Sequence, residues 1–225
     1  MSKIYISPSN QTGNIGYGEY GSEQKRMFEV SSALKIILER CKITSYISKK
    51  GMTFQETVAE SNKLNVDIHL PIHSNAFNKT VRGTQTMYVS TQGKILSDLI
   101  YTRLSAFTPT VDRGSKRVTN LYELNCTNAV CAYLELMFHD NAQDSLLIIN
   151  NIEHIAELIA QGVCEYLKIK YVEKPVVAKI DQNVLELQKL LNKFGATDQN
   201  NKSLAEDGLI GHKTRVALNK LISKL

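Results

Sequence analysis

Apolar and polar residues alternate in short runs along the first two thirds of the chain, and between those runs apolar residues recur three and four apart. Lys3 to Ile6 alternates as a first strand. Ser22 has the character of a helix N-cap with Glu23 and Gln24 in the first turn, and Met27, Val30, Leu34, Ile37 and Leu38 then follow at helical spacing. Ile43 to Ile47 predicts a second strand, Thr53 to Leu64 a helix and Val66 to Ile72 a third strand. Thr84 to Val89 predicts a strand, Lys94 to Phe107 an amphipathic helix, and Val118 to Leu124 a strand before the apolar run Ala129 to Leu136. Helices are expected at about Gln143 to Asn150 and Asn151 to Leu167. Strands separated by helices predict an α/β fold whose sheet is largely parallel, with one or two antiparallel members.

Near Tyr171 the pattern dissolves into VEKPVVAKI, a linker-like piece containing Pro175. Beyond it Val184, Leu187, Leu190 and Leu191 predict a helix, Gly195 its end, Asp207-Gly208 a turn, and His212 to Leu225 a last helix. The organisation expected is one domain over 1–170, a linker over 171–181 and a compact helical module over 182–225.

The 225 residues, 43% of them apolar, can bury one full α/β core and a small second one. The net charge of +5 is modest and the 27 basic residues are spread along the chain, which argues against a nucleic-acid-binding arm. A mildly basic surface suits an anionic polymer such as a bacterial cell wall, and serves simple solubility equally well. Cys41, Cys126, Cys131 and Cys164 show no metal spacing and read as buried free thiols. MSKIYISPSN lacks the pattern of a secretory signal, so the expected location on synthesis is the cytoplasm. No stretch approaches the roughly 18 to 20 apolar residues of a membrane span, so no membrane insertion is expected.

Candidate chemistry gathers where apolar runs end in ionisable groups. In DIHLPIHSNAF, His69 and His73 stand four apart as in a helical zinc pair, but Pro71 between them would break a helix. As a strand, the segment puts His69 and His73 on one face and Ile68, Leu70 and Ile72 on the other. His69 then reads as a hydrogen-bonded structural histidine, and His73, at the strand end, as the better ligand. Leu134-Glu135 repeats the arrangement in AYLELMFHDN. The loop after the first strand, dotted with Gly13, Gly16, Gly18 and Gly21, lacks the GxGxxG pattern, so no nucleotide is indicated. Glu23, His73 and Glu135 could converge on one sheet edge, where open α/β sheets bind ligands. Imidazole and carboxylate together suit Zn²⁺, and a further carboxylate can hold the attacking water.

The helix start with Glu23, the string PIHSNAF, the segment Asp112 to Asn141 and the spacing between them resemble the zinc-dependent N-acetylmuramoyl-L-alanine amidases of the amidase 3 type over roughly Lys3 to Leu167. The resemblance implies a twisted six-stranded sheet flanked by helices. It implies hydrolysis of the amide between N-acetylmuramic acid and L-alanine in peptidoglycan, with Zn²⁺ as cofactor. By the same resemblance His73 and Glu23 match zinc ligands, Glu135 matches the general base, and Asn75, Arg113 and Tyr122 lie in segments expected to line the substrate groove. The family's first zinc-binding histidine is absent: Asn10 aligns with it, and a branch reading Ser-Pro-Ser-x-Gln points to Gln11 as third ligand. His139 is the other candidate. VLELQKLLNKFG and EDGLIGHKTRVALNKL resemble a helical peptidoglycan-binding module, with self-association through these helices as the competing expectation. Lacking an export signal, the chain resembles a phage lysin or an enzyme of spore release that acts on the wall afterwards. A wall-binding protein without activity and a zinc peptidase of the stem peptide are the alternatives.

Overall fold

Alternation along the strands gives the sheet two unlike faces, and that difference places the site. In the computed structural model, which describes residues 2–108, 113–174 and 180–223, the strands are β1 (Lys3–Pro8), β2 (Thr44–Ile47), β3 (Ile68–Asn75), β4 (Gln85–Tyr88), β5 (Ser115–Arg117), β6 (Val130–Cys131) and β7 (Tyr133–Phe138). Asp112 and the linker residues from Pro175 to Lys179 lie outside the described residues. The main path runs β2-β1-β3-β7-β4-β5, with β6 paired to β3. Its neighbours are parallel except β4 and β7, which are antiparallel. The expected six-stranded, mostly parallel sheet is therefore present, with the two-residue β6 in addition.

One face is apolar. Ile4, Ile6, Ile68, Leu70, Ile72, Leu134 and Leu136 enter a continuous core with Met27, Val30, Leu34 and Leu38 of α1 (Glu23–Arg40), Leu96 and Ile100 of α3 (Thr91–Phe107), and Ile155, Ile159 and Val163 of α6 (Ile152–Leu167). Each such side chain contributes about 1.5–3 kcal/mol on burial. Gly162 of α6 sets the approach to α3, since a Cβ there would stand 2.9 Å from Ile100 Cα. The opposite face carries Tyr5, Ser7, His69, His73, Tyr133 and Glu135, and beside it lie α2 (Phe54–Leu64) and the short α4 (Tyr122–Cys126).

Local chemistry starts the helices, at Ser22 as expected. The Ser22 hydroxyl accepts from Lys25 N at the start of α1, and Thr53 and Glu56 form a reciprocal capping box on α2. Asn141 caps α5 (Ala142–Asn150) by accepting from Gln143 N and Asp144 N.

Two expectations are corrected. The strand expected over Val118 to Leu124 is instead β5, ending at Arg117, followed by the helical turn α4. Leu121 and Leu124, three apart, both pack against Met87 and Cys131 on that turn, whereas an extended chain would send them to opposite faces. The Asn125 side chain donates to Thr119 O and Leu121 O and closes the turn. Of the four cysteines, all free, Cys126 is exposed rather than buried, because it ends α4 at the surface.

The chain divides into two units between Glu173 and Lys174. In the second, α7 (Gln182–Lys193) and α8 (His212–Ile222) close on Leu191, Ala196, Leu204 and Ala217. Gln188 is buried at its centre. Its Oε1 accepts from Asp207 N at 3.0 Å and Gly208 N at 2.9 Å, and its Nε2 donates to Asp207 Oδ1, Leu209 O and Thr214 Oγ1. Gly208 holds φ +67°, and a Cβ there would meet Ile180 Cγ2 at 2.5 Å. The segments VLELQKLLNKFG and EDGLIGHKTRVALNKL are thus the two halves of one hydrogen-bonded lock.

Candidate active site

β3 and β7 are adjacent and parallel, with His73 directly across the ladder from Glu135. Strand pairing alone therefore brings an imidazole near the end of β3 beside a carboxylate within β7, rather than at its end as the sequence suggests, and α1 supplies the third group from its first turn. Glu23 is buried there, and its Oε1 lies 2.9 Å from His73 Nδ1 and accepts from Ser74 N at 3.3 Å. Asn14 Nδ2 donates to Glu23 Oε2 at 2.9 Å and to Gln11 Oε1 at 2.5 Å, so one amide ties the loop after β1 to the start of α1. The ring of Tyr133 stacks on His73, with centroids 4.7 Å apart.

The electrostatics separate the two carboxylates. Burial alone would raise Glu23, but the hydrogen bond and charge of His73, with donors from Asn14 and Ser9, hold it below the ordinary value. Burial would lower His73, and its bond to Glu23 with the charges of Glu135 and Glu23 raises it instead. Glu135 is pushed up to about 7, chiefly by burial and further by Glu23, against the pull of His73. Its Oε2 is buried and has no hydrogen-bond partner among the described residues. A poised carboxyl with a free oxygen beside a firmly ionised one is the arrangement of an acid–base group next to a cation-holding group.

A cavity of about 440 Å³ opens beside this cluster, lined among others by Ser9, Gln11, Phe54, His73, Tyr122 and Tyr133. Its floor is Glu123, whose Oε1 accepts from Ser7 Oγ at 2.7 Å and from His69 Nε2 at 3.1 Å, while His69 Nδ1 meets Ser61 Oγ at 3.0 Å. Burial would raise Glu123, and these partners, His69 first, lower it. His69 is held as a structural histidine in this network, as its place on the strand predicts.

The other sequence candidates are distributed around the cavity. Asn10 turns away, its side chain donating to Met52 O at 2.8 Å, whereas the Gln11 side chain accepts from Asn14, which also donates to Glu23. His139 is buried behind the cluster, with Nδ1 2.9 Å from Ser74 Oγ and its ring stacked on Tyr20. Tyr122 lines the cavity and tilts against Phe54 at 5.3 Å. Asn75 and Arg113 are not among the cavity's lining residues: Asn75 Oδ1 accepts from Ala76 N, and the Arg113 guanidinium lies 4.8 Å from the centre of the Phe138 ring. Asn14, Glu123 and Tyr133 escape a motif reading. Period-two alternation carries the one available signal, since it puts Tyr133 on the face of Glu135.

The sequence pattern of the N-acetylmuramoyl-L-alanine amidase family matches residues 7–165. An uncharacterized cell wall amidase of Bacillus anthracis is 32% identical over 116 residues, 46% of this chain, and the match spans only 22% of that protein's length. The catalytic domain of CwlV, an amidase from Bacillus (Paenibacillus) polymyxa, superposes with a TM-score of 0.70 at 20% identity over 76% of this chain and 100% of its own. An N-acetylmuramoyl-L-alanine amidase from Clostridium difficile 630 gives 0.68 at 23% identity, covering 74% of this chain and 97% of its own. The catalytic domain of CD27L, an endolysin targeting Clostridia difficile, gives 0.65 at 21%, covering 77% and 100%. These structures share the fold of the first unit, and the family pattern spans both the loop of Gln11 and the strand of Glu135: the chain belongs to the N-acetylmuramoyl-L-alanine amidase family.

Proposed function

We propose that this chain hydrolyses the amide joining the lactyl group of N-acetylmuramic acid to L-alanine in bacterial peptidoglycan, with zinc as its cofactor. The observation that carries the reading is Glu135, a buried carboxyl pushed up to about 7 with one oxygen unpartnered, set across the ladder from His73.

The donors present fit a borderline divalent ion. His73 Nδ1 and Glu23 Oε1 already converge to 2.9 Å, and Gln11 Oε1 shares the Asn14 amide with Glu23. Gln11 is the third donor in this reading, its Oε1 accepting from Asn14 at 2.5 Å. When bound, zinc would acidify a water toward a pKa of about 7 and polarise the scissile carbonyl. Glu135 takes the proton of the attacking water on its free oxygen and passes it to the leaving nitrogen of L-alanine. Asn14 holds Gln11 and Glu23 in register, and Tyr133 fixes the plane of the His73 ring. The helical unit would bind the same polymer, raising the effective concentration of the site on an insoluble substrate.

The test is digestion of purified peptidoglycan by zinc-supplied protein. Free amino termini on alanine are expected without new reducing sugar ends. Cuts inside the stem peptide would assign a peptidase instead. Retained wall binding without cleavage would assign a wall-binding protein, the rival that the amide at Gln11 favours, since an amide is a weaker donor than imidazole.

A further inference from the structure

Tyr133 carries a hydroxyl that the fold has not used. Its ring is held from both sides, stacked on His73 at 4.7 Å and packed against the cluster of Met87, Leu124 and Cys131. The residue lines the cavity, and its hydroxyl has no hydrogen-bond partner among the described residues. Neighbouring donors in the cavity wall are committed: Ser7 Oγ donates to Glu123, Asn10 Nδ2 to Met52 O, and Thr57 Oγ1 to Phe54 O. Gln11, Asn120 and Tyr122, which also line the cavity, are exposed, whereas Tyr133 is part-buried. On β7 Tyr133 precedes Glu135 by two residues, so both side chains leave the sheet on the same face, one with a free donor and the other with a free acceptor.

Amide hydrolysis needs that pairing. As water adds, its proton goes to a base and the carbonyl oxygen gains an electron pair, which a preset donor must stabilise. We propose that Tyr133 is a catalytic residue whose hydroxyl donates a hydrogen bond to the lactyl carbonyl oxygen of the scissile amide. The proposal rests on the amidase reading. The phenol keeps its proton throughout: the C–O double bond opens as the water oxygen bonds to carbon, Glu135 holds the water's proton, and the C–N bond breaks as that proton reaches nitrogen. The hydrogen bond from Tyr133 strengthens as the oxygen becomes negative and relaxes when the carboxyl product forms.

Tyr133→Phe keeps the ring against His73 and removes the oxygen alone. Compared with wild type on soluble muropeptides, the variant should lose about a hundredfold in kcat, with KM little changed. Its zinc content, its melting temperature and the pelleting of metal-free protein with insoluble wall should match wild type. Unchanged kcat, or a change confined to KM, would overturn the assignment while leaving the amidase reading intact. Loss of zinc or of stability in step with kcat would reduce Tyr133 to a support for His73 and also overturn it. An inert wild type would instead remove the amidase reading itself.

Discussion

The burial of Glu135 can be read as stability before any catalysis is measured. Its pKa is about 7 in the folded protein against an ordinary 4.5, a gap worth about 3 kcal/mol. The folded state holds the proton more tightly than the unfolded one. This contribution to stability is therefore complete below about pH 4.5 and is lost as pH rises through about 7. Glu135→Gln has the same shape and cannot ionise. In chelator-treated protein, the variant's advantage over wild type should widen by up to about 3 kcal/mol between pH 4 and pH 8, roughly 6–12 °C in melting temperature for a unit of this size. The assay is thermal unfolding of both proteins across that range. A gap that stays constant with pH would refute the account of Glu135 as a buried, poised carboxyl. The same variant, supplied with zinc, should lose at least a hundredfold in hydrolysis because an amide takes up no proton, and full activity would refute the base role.

Elemental analysis should find near-stoichiometric zinc in wild type, none in His73→Ala and reduced occupancy in Gln11→Ala. His139→Ala should keep its metal, because His139 faces Ser74 and Tyr20, and a loss there would transfer the third-donor role to it. Glu123→Ala should cost about 3–5 kcal/mol in denaturant unfolding, since it strands His69 and Ser7 in a buried network, and a near-neutral result would mean the network is solvated. Gln188→Leu leaves the Asp207 and Gly208 amides without their acceptor, at about 1–3 kcal/mol each. In so small a unit this should unfold the helical module, seen as rapid proteolysis beyond Glu173 with the first unit intact.

The sheet was legible because alternation and burial share a cause: Ile68, Leu70 and Ile72 face the core, so His69 and His73 must face away. Pro71 identified the segment as a strand rather than a helical metal pair. α4 was not legible, because Val118 to Leu124 satisfies both periods and long-range packing of Leu121 and Leu124 decided between them. For the same reason the site emerged only in part. His73 and Glu135 interrupt apolar runs and announce themselves, whereas Asn14 matters only through two contacts that no local pattern encodes.

The register of β3 against β7 has a consequence for how such a site can change over time. The spacing of His73 and Glu135 is written into a hydrogen-bonded ladder inside the sheet, so neither can drift without breaking the strands that hold the core together. Gln11 sits on an exposed loop outside the ladder. Variation in this protein can thus change the polar group that the loop after β1 offers while His73 and Glu135 stay fixed, so, if the proposed zinc reading holds, that loop is the natural place to re-engineer metal preference without redesigning the fold.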